Sequence, residues 1–178
     1  MIVINLFGAP GSGKSTGAAY IFSKLKMNGI NAELVTEAAK DMTWEGRNVA
    51  LSDQLYVSGC QSLRLTRLNN NVDVVVTDSP LPIGLMYVDG VSKTYLQPVL
   101  LQKFNQFSNI NYYVNRCKPY NPKGRNQTEE ESDEIAKIIK RFMNDNDIEF
   151  KEVLGCQDGY DYIVEEVLKN GNWLDKSW

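Results

Sequence analysis

Residues Gly8 to Thr16 read Gly-Ala-Pro-Gly-Ser-Gly-Lys-Ser-Thr, a full match to the pattern G-x-x-x-x-G-K-[ST]. An apolar run, Ile2-Val3-Ile4-Asn5-Leu6-Phe7, precedes the loop, and a segment of helical character from Ser15 to Met27 follows it. Strand, glycine loop and helix in that order are the context the pattern requires. Glycines let backbone N–H groups turn inward around a polyphosphate. The helix adds unpaired N–H groups and the positive end of its dipole. Gly8, Gly11, Ser12, Gly13, Lys14, Ser15 and Thr16 are therefore the expected nucleotide-binding residues. Lys14 is expected to reach the outer phosphates, and the Ser15 hydroxyl to ligate Mg²⁺.

The rest of the chain alternates strands and helices. Short strands are expected at 32–35 and 110–114, and a last one at 150–154. The run Val72-Asp73-Val74-Val75-Val76-Thr77-Asp78 reads as a strand buried on both faces, hence central in a parallel sheet. Helices are expected over 52–68, 93–107 and 160–169, the first with Leu55, Cys60, Leu63, Leu65 and Leu68 as its apolar residues. Thr128 with Glu131 three residues on forms a capping box that starts a charged helix. This alternation predicts an α/β fold with a parallel sheet covered on both faces. At 178 residues one domain is expected.

Composition narrows the function. The net charge of −3 offers no global basic field for nucleic acid. Three cysteines, Cys60, Cys117 and Cys156, are far apart in sequence and odd in number, which predicts a reducing, cytoplasmic setting and no disulfide framework or zinc site. No apolar stretch approaches membrane-spanning length, and no signal-peptide pattern opens the chain. Histidine is absent, so a general base is expected to be a carboxylate.

Two carboxylates qualify. Asp78 ends the valine strand, where it can hold Mg²⁺ or accept a proton from an attacking hydroxyl; a turn cap is its structural alternative. Glu37 lies just past the second strand at the same sheet edge, placed to meet an acceptor hydroxyl or to start a helix. Trp44 and Tyr56 are candidates to line that pocket, or else core. The polar segment 115–128 carries Arg116, Lys118, Lys123 and Arg125 and reads as a lid over the phosphates. Arg125 is expected to meet phosphate charge on closure, and Arg116 to stack on adenine or contact phosphates.

The phosphate loop, Asp78 after its valines and the arginine-bearing lid before a charged helix resemble the small P-loop kinases of the nucleoside and nucleotide kinase group. That resemblance implies a three-layer α/β/α fold, a five-stranded parallel sheet in the order 2-3-1-4-5, and phosphoryl transfer from ATP with Mg²⁺. Glu37 resembles the carboxylate that deoxynucleoside kinases place near the acceptor hydroxyl. Thr77-Asp78-Ser79-Pro80 and Gly124-Arg125-Asn126-Gln127-Thr128 resemble segments of small bacteriophage P-loop kinases, some of which phosphorylate 5-hydroxymethyluracil in DNA. The resemblance implies that acceptor, in a host cytoplasm; the alternatives are a small-molecule nucleoside or nucleotide and a nucleotide-switch NTPase. Ser79-Pro80 stands where deoxynucleoside kinases carry an arginine, and no Asn-Lys-x-Asp guanine motif is present.

Overall fold

The structure, a computed structural model, describes residues 1–88, 90–122 and 127–170. Lid residues 123–126, Arg125 and Lys123 among them, lie outside that set.

Strand β1 (Ile2–Phe7) runs into the glycine loop and helix α1 (Lys14–Met27). Then come β2 (Ala32–Val35), α2 (Ala38–Trp44), α3 (Asn48–Ser52), α4 (Gln54–Thr66) and β3 (Val74–Thr77). A 3-10 turn (Leu81–Tyr87), α5 (Gly90–Phe104) and β4 (Ser108–Asn115) follow, and α6 (Glu129–Asp145), β5 (Lys151–Leu154) and α7 (Gln157–Asn170) close the described chain. The five strands form one parallel sheet in the order β2-β3-β1-β4-β5, as the resemblance implied.

Period-two alternation divides the sheet between two helical layers. Ile4, Leu6, Val74, Val76, Tyr112 and Val114 face α1 and α7, packing on Ala18, Ile21, Leu25 and Ile163. Phe7 and Tyr113 face the opposite layer, on Leu100 and Phe104 of α5 and Ile139 and Met143 of α6. Val3 and Val75 meet Leu65 of α4 on that same side. Every residue of β3 is buried, as its valine run requires. Among the described residues no helix is long and apolar enough to cross a membrane.

Four sequence expectations shift. The helix expected from 93 begins at Gly90, and a 3-10 turn precedes it. Pro80 and Pro82 set that tight turn. The helix expected over 52–68 is α4, Gln54–Thr66, set off from the short α3 by Asp53, which accepts from the Leu55 and Tyr56 N–H groups. Leu55 and Leu63 are exposed, and α4 buries Val57, Ser58, Gln61 and Leu65 instead. The inward face of α4 is partly polar, so counting apolar residues selects the wrong side. The helix expected over 160–169 begins earlier, at Gln157. The capping box stands as read: Thr128 Oγ1 accepts from Glu131 N at 3.2 Å, and Glu131 Oε2 accepts from Thr128 N at 2.7 Å.

Sheet register brings the chemistry together. Asn5 and Val35 both pair with Thr77, so the ends of β1, β2 and β3 leave the sheet side by side. The glycine loop, Glu37 and Asp78 are the next residues out.

Candidate active site

The glycine loop has the backbone its composition predicts. Gly8, Gly11 and Gly13 take φ of 149°, 80° and 101°, a region that side chains disfavour. Lys14 donates from Nζ to the carbonyls of Gly8 (2.7 Å) and Ala9 (2.9 Å), so its charge sits on the loop itself. Ser15 and Thr16 are exposed in the first turn of α1. The buried Ser12 hydroxyl has no hydrogen-bond partner among the described residues.

Residues from distant sequence brace this loop, and sequence reasoning missed them. Tyr160 of α7 donates its hydroxyl to Gly13 O at 2.9 Å, and a side chain at Gly17 would collide with its ring. Burial first, then Cys117 and Cys156, pushes the Tyr160 phenol up to about 12, so it stays a donor at neutral pH. Ser132 of α6 donates to Pro10 O at 2.8 Å. Gly155, after β5, lies so close that a Cβ there would overlap the Ser12 carbonyl and meet Asn115 O at 3.1 Å. Both neighbours are backbone and cannot rotate away. Gly155→Ala is therefore expected to cost ~1–3 kcal/mol, the range of overpacking. Nucleotide affinity should fall with it, because the displaced residue belongs to the loop. Chemical denaturation and nucleotide titration of the variant check both effects.

Glu37 and Asp78 form the acidic part of the site. Glu37 is the N-cap of α2, yet its side chain makes no capping hydrogen bond. Its pKa is raised, by burial first and by the Asp78 charge next, while Lys14 and Lys40 pull it down. Glu37 thus feels the charges of both Asp78 and the loop lysine. The turn after Asp78 is held by its neighbour: Ser79 N donates to Thr77 Oγ1 at 3.2 Å. Asp78 Oδ1 is buried with no hydrogen-bond partner among the described residues. An orphaned carboxylate oxygen suits a hard divalent cation, so the chemistry of Asp78 fits Mg²⁺, directly or through water.

One side-chain amide ties the two carboxylate segments together. Gln61 of α4 is buried, accepts from Ala38 N at 2.9 Å and donates to Ser79 O at 3.1 Å. Ala38 follows Glu37 and Ser79 follows Asp78, so Gln61 fixes their spacing. Gln61→Leu would orphan a buried N–H and a buried C=O, at about 1–3 kcal/mol each. A fall in kcat with nucleotide affinity unchanged would mark lost carboxylate placement; equal losses in both would argue against it. Steady-state kinetics beside nucleotide titration gives the answer.

A cavity of about 260 Å³ opens beside these groups, walled by Glu37, Gln54, Ser58, Gln61, Ser79, Gly84 and Tyr87 among others. Ser58 Oγ is buried there without a hydrogen-bond partner among the described residues. An apolar wall with a few aimed polar groups is how small-molecule sites are built. Trp44 and Tyr56 do not border the cavity. Trp44 is 81% exposed at the end of α2 and Tyr56 is 45% exposed, so neither is core either. The ring that lines it is Tyr87, which follows the 3-10 turn's prolines rather than any apolar period.

A second cavity, about 180 Å³, lies on the other side of the loop between Gly13, Thr16, Lys118, Gly155 and Tyr160. Lys118, from the expected lid, therefore does reach the loop's surroundings. Arg116 is held by α6: it pairs with Asp133 at 2.5 Å and Glu129 at 3.1 Å and lies over the Tyr120 ring at 5.3 Å. Tyr120 in turn donates to Gln127 O at 2.6 Å, joining the described residues on either side of 123–126. Arg125 lies outside the described residues.

No protein-family profile matches the chain, and no curated protein matches it in sequence. Among solved structures it is similar to the deoxyadenosine kinase from M. mycoides with bound dATP, at 21% identity and a TM-score of 0.62. That similarity covers 94% of this chain and 100% of the kinase. This chain therefore has the α/β fold of that kinase, with the five-stranded parallel sheet in the order 2-3-1-4-5.

Proposed function

We propose that the chain is an ATP- and Mg²⁺-dependent kinase that transfers the γ-phosphate to a hydroxyl of a nucleoside- or nucleotide-type acceptor. The observation that carries this reading is the place of Glu37 on the wall of the 260 Å³ cavity, beside Ser79 and within the field of Asp78 and the loop's Lys14. A switch NTPase needs a phosphate loop but no enclosed second cavity lined by a carboxylate. Likeness to a deoxyadenosine kinase in fold points the same way.

In this reading the loop amides and Lys14 hold the triphosphate, with Gly8, Gly11, Ser12, Gly13 and Thr16 shaping the cradle. Mg²⁺, held by Ser15 and Asp78, would neutralise phosphate charge. The acceptor hydroxyl enters from the cavity side. Glu37 or Asp78 takes its proton as its oxygen attacks the γ-phosphorus, and the bond to the β-phosphate oxygen breaks. Burial of Glu37 raises its basicity, which suits proton acceptance near neutral pH. Arg116, anchored on α6, sets the base of the lid, and Arg125 supplies charge to the transferring group.

The finer version of this reading is the 5-hydroxymethyl group of 5-hydroxymethyluracil in phage DNA. Tyr87, an exposed ring on the cavity wall, supports a base delivered on a polymer, because stacking needs an open aromatic face. A base in duplex DNA must leave the stack to reach the loop. A screen with γ-labelled ATP tests both levels. Label transfer to deoxynucleosides, nucleotides or hydroxymethyluracil-containing DNA supports a kinase and names the acceptor. Labelling of free nucleosides with none on DNA removes the finer version. ATP hydrolysis with nothing labelled overturns the kinase reading in favour of a switch.

A further inference from the structure

Two of the three cysteines, 39 positions apart in sequence (156 minus 117), each adjoin a residue that lines the second cavity, Cys117 next to Lys118 and Cys156 next to Gly155. Asn115 and Leu154 are the last paired positions of β4 and β5, and Gly155 N donates to Asn115 O at 2.8 Å. Cys117 stands two residues beyond Asn115 and Cys156 one beyond Gly155, so this backbone hydrogen bond holds the two cysteine-bearing segments side by side just past the strand ends. Burial first, and then the neighbouring Cys156, push the Cys117 thiol up. Both thiols also act on the Tyr160 hydroxyl that braces Gly13. Cys117 is exposed, so an oxidant reaches it, while Cys60 lies on the α4 side of the molecule.

We propose that Cys117 and Cys156 are a redox-modifiable thiol pair, which closes to a disulfide at the wall of the nucleotide-side cavity and restrains nucleotide exchange. The oxidant class is a peroxide. One thiolate sulfur attacks a peroxide oxygen; the O–O bond breaks, a sulfenic acid forms, and hydroxide leaves as water. The second thiol attacks that sulfur; the S–S bond forms, the S–O bond breaks, and a second water leaves with the thiol's proton. The two sulfurs lose two electrons to the peroxide, and a dithiol reductant reverses the change.

The restraint follows from what the cysteines flank. Cys117 precedes Lys118 and Cys156 follows Gly155, and these two residues line the same cavity with Gly13 and Thr16. A disulfide joins the two segments that carry them. This half of the proposal rests on the nucleotide reading above; the thiol chemistry does not.

Intact-mass spectrometry after titration with hydrogen peroxide tests it. A loss of 2 Da, a fall from three alkylatable thiols to one, and a Cys117–Cys156 linked peptide are expected. Cys117→Ser and Cys156→Ser should each abolish the mass loss, and Cys60→Ser should leave it intact. Dissociation of a methylanthraniloyl-ATP analogue should slow at least ~5-fold on oxidation and recover on reduction. Separate sulfinic acids, or cross-links through Cys60, would overturn the thiol pair. A disulfide that changes dissociation less than twofold would overturn the restraint. Failure of the analogue to bind reduced protein would overturn the nucleotide reading and the restraint with it, while the mass result still decides the pair.

Discussion

Lys14→Ala is expected to remove phosphoryl transfer while leaving the chain folded. The side chain leaves the loop at the first residue of α1, and its ammonium donates to the Gly8 and Ala9 carbonyls. It is not part of any apolar cluster. Its loss withdraws a positive charge aimed at the outer phosphates, where negative charge concentrates during transfer. Removing one preorganised electrostatic donor typically lowers turnover ~10²–10³-fold. Two partly buried hydrogen bonds also go, at about 1 kcal/mol each, so the melting temperature should move by a few degrees. Label transfer from γ-labelled ATP beside a thermal melt checks both. Turnover within a few-fold of the parent would remove the central claim.

Asp78→Asn should lower turnover by ~10²–10⁴-fold if Asp78 is the base, and by more if metal is also lost. Nucleotide affinity should change less, because the loop amides remain. The same variant reports on Glu37. The Asp78 charge is the second cause, after burial, of the raised Glu37 pKa. Neutralising it lets Glu37 ionise more readily, so the Glu37 pKa falls, though burial still holds it above the ordinary value. If Glu37 must be ionised for catalysis, kcat/KM falls as pH drops through its pKa. That acid limb should therefore move to lower pH in Asp78→Asn. A pH–rate profile of the residual activity separates the two carboxylates. A large loss with an unmoved limb makes Asp78 the base, and a small loss with a shifted limb makes it Glu37.

The interior strand β3 was legible because burial on both faces forces an unbroken valine run, Val74-Val75-Val76. The glycine loop was legible because positive φ at three positions restricts the residue type. The capping box was legible because its bonds span three residues. The inward side of α4 was not. Gln61 and Ser58 look like surface residues in sequence, and Leu55 and Leu63 look like core. Whether a polar residue is buried depends on the groups that meet it. For Gln61 these are Ala38 N and Ser79 O, 23 and 18 residues away.

The amino-acid sequence by itself determined the elements whose causes are local: a glycine loop between strand and helix, a valine strand ending in Asp78, and a capped, charged helix after the basic segment. Steric limits on φ, side-chain periodicity and short-range hydrogen bonds act within a few residues, so they leave a readable pattern. Only the tertiary structure decided which distant groups meet. It set Glu37 within the field of Asp78, Gln61 across the backbones that carry both, Tyr160 and Gly155 under the loop, and Cys117 beside Cys156. Those meetings follow from strand order and register. These depend on how both faces of the sheet are buried at once, a property of the whole chain that no short stretch carries.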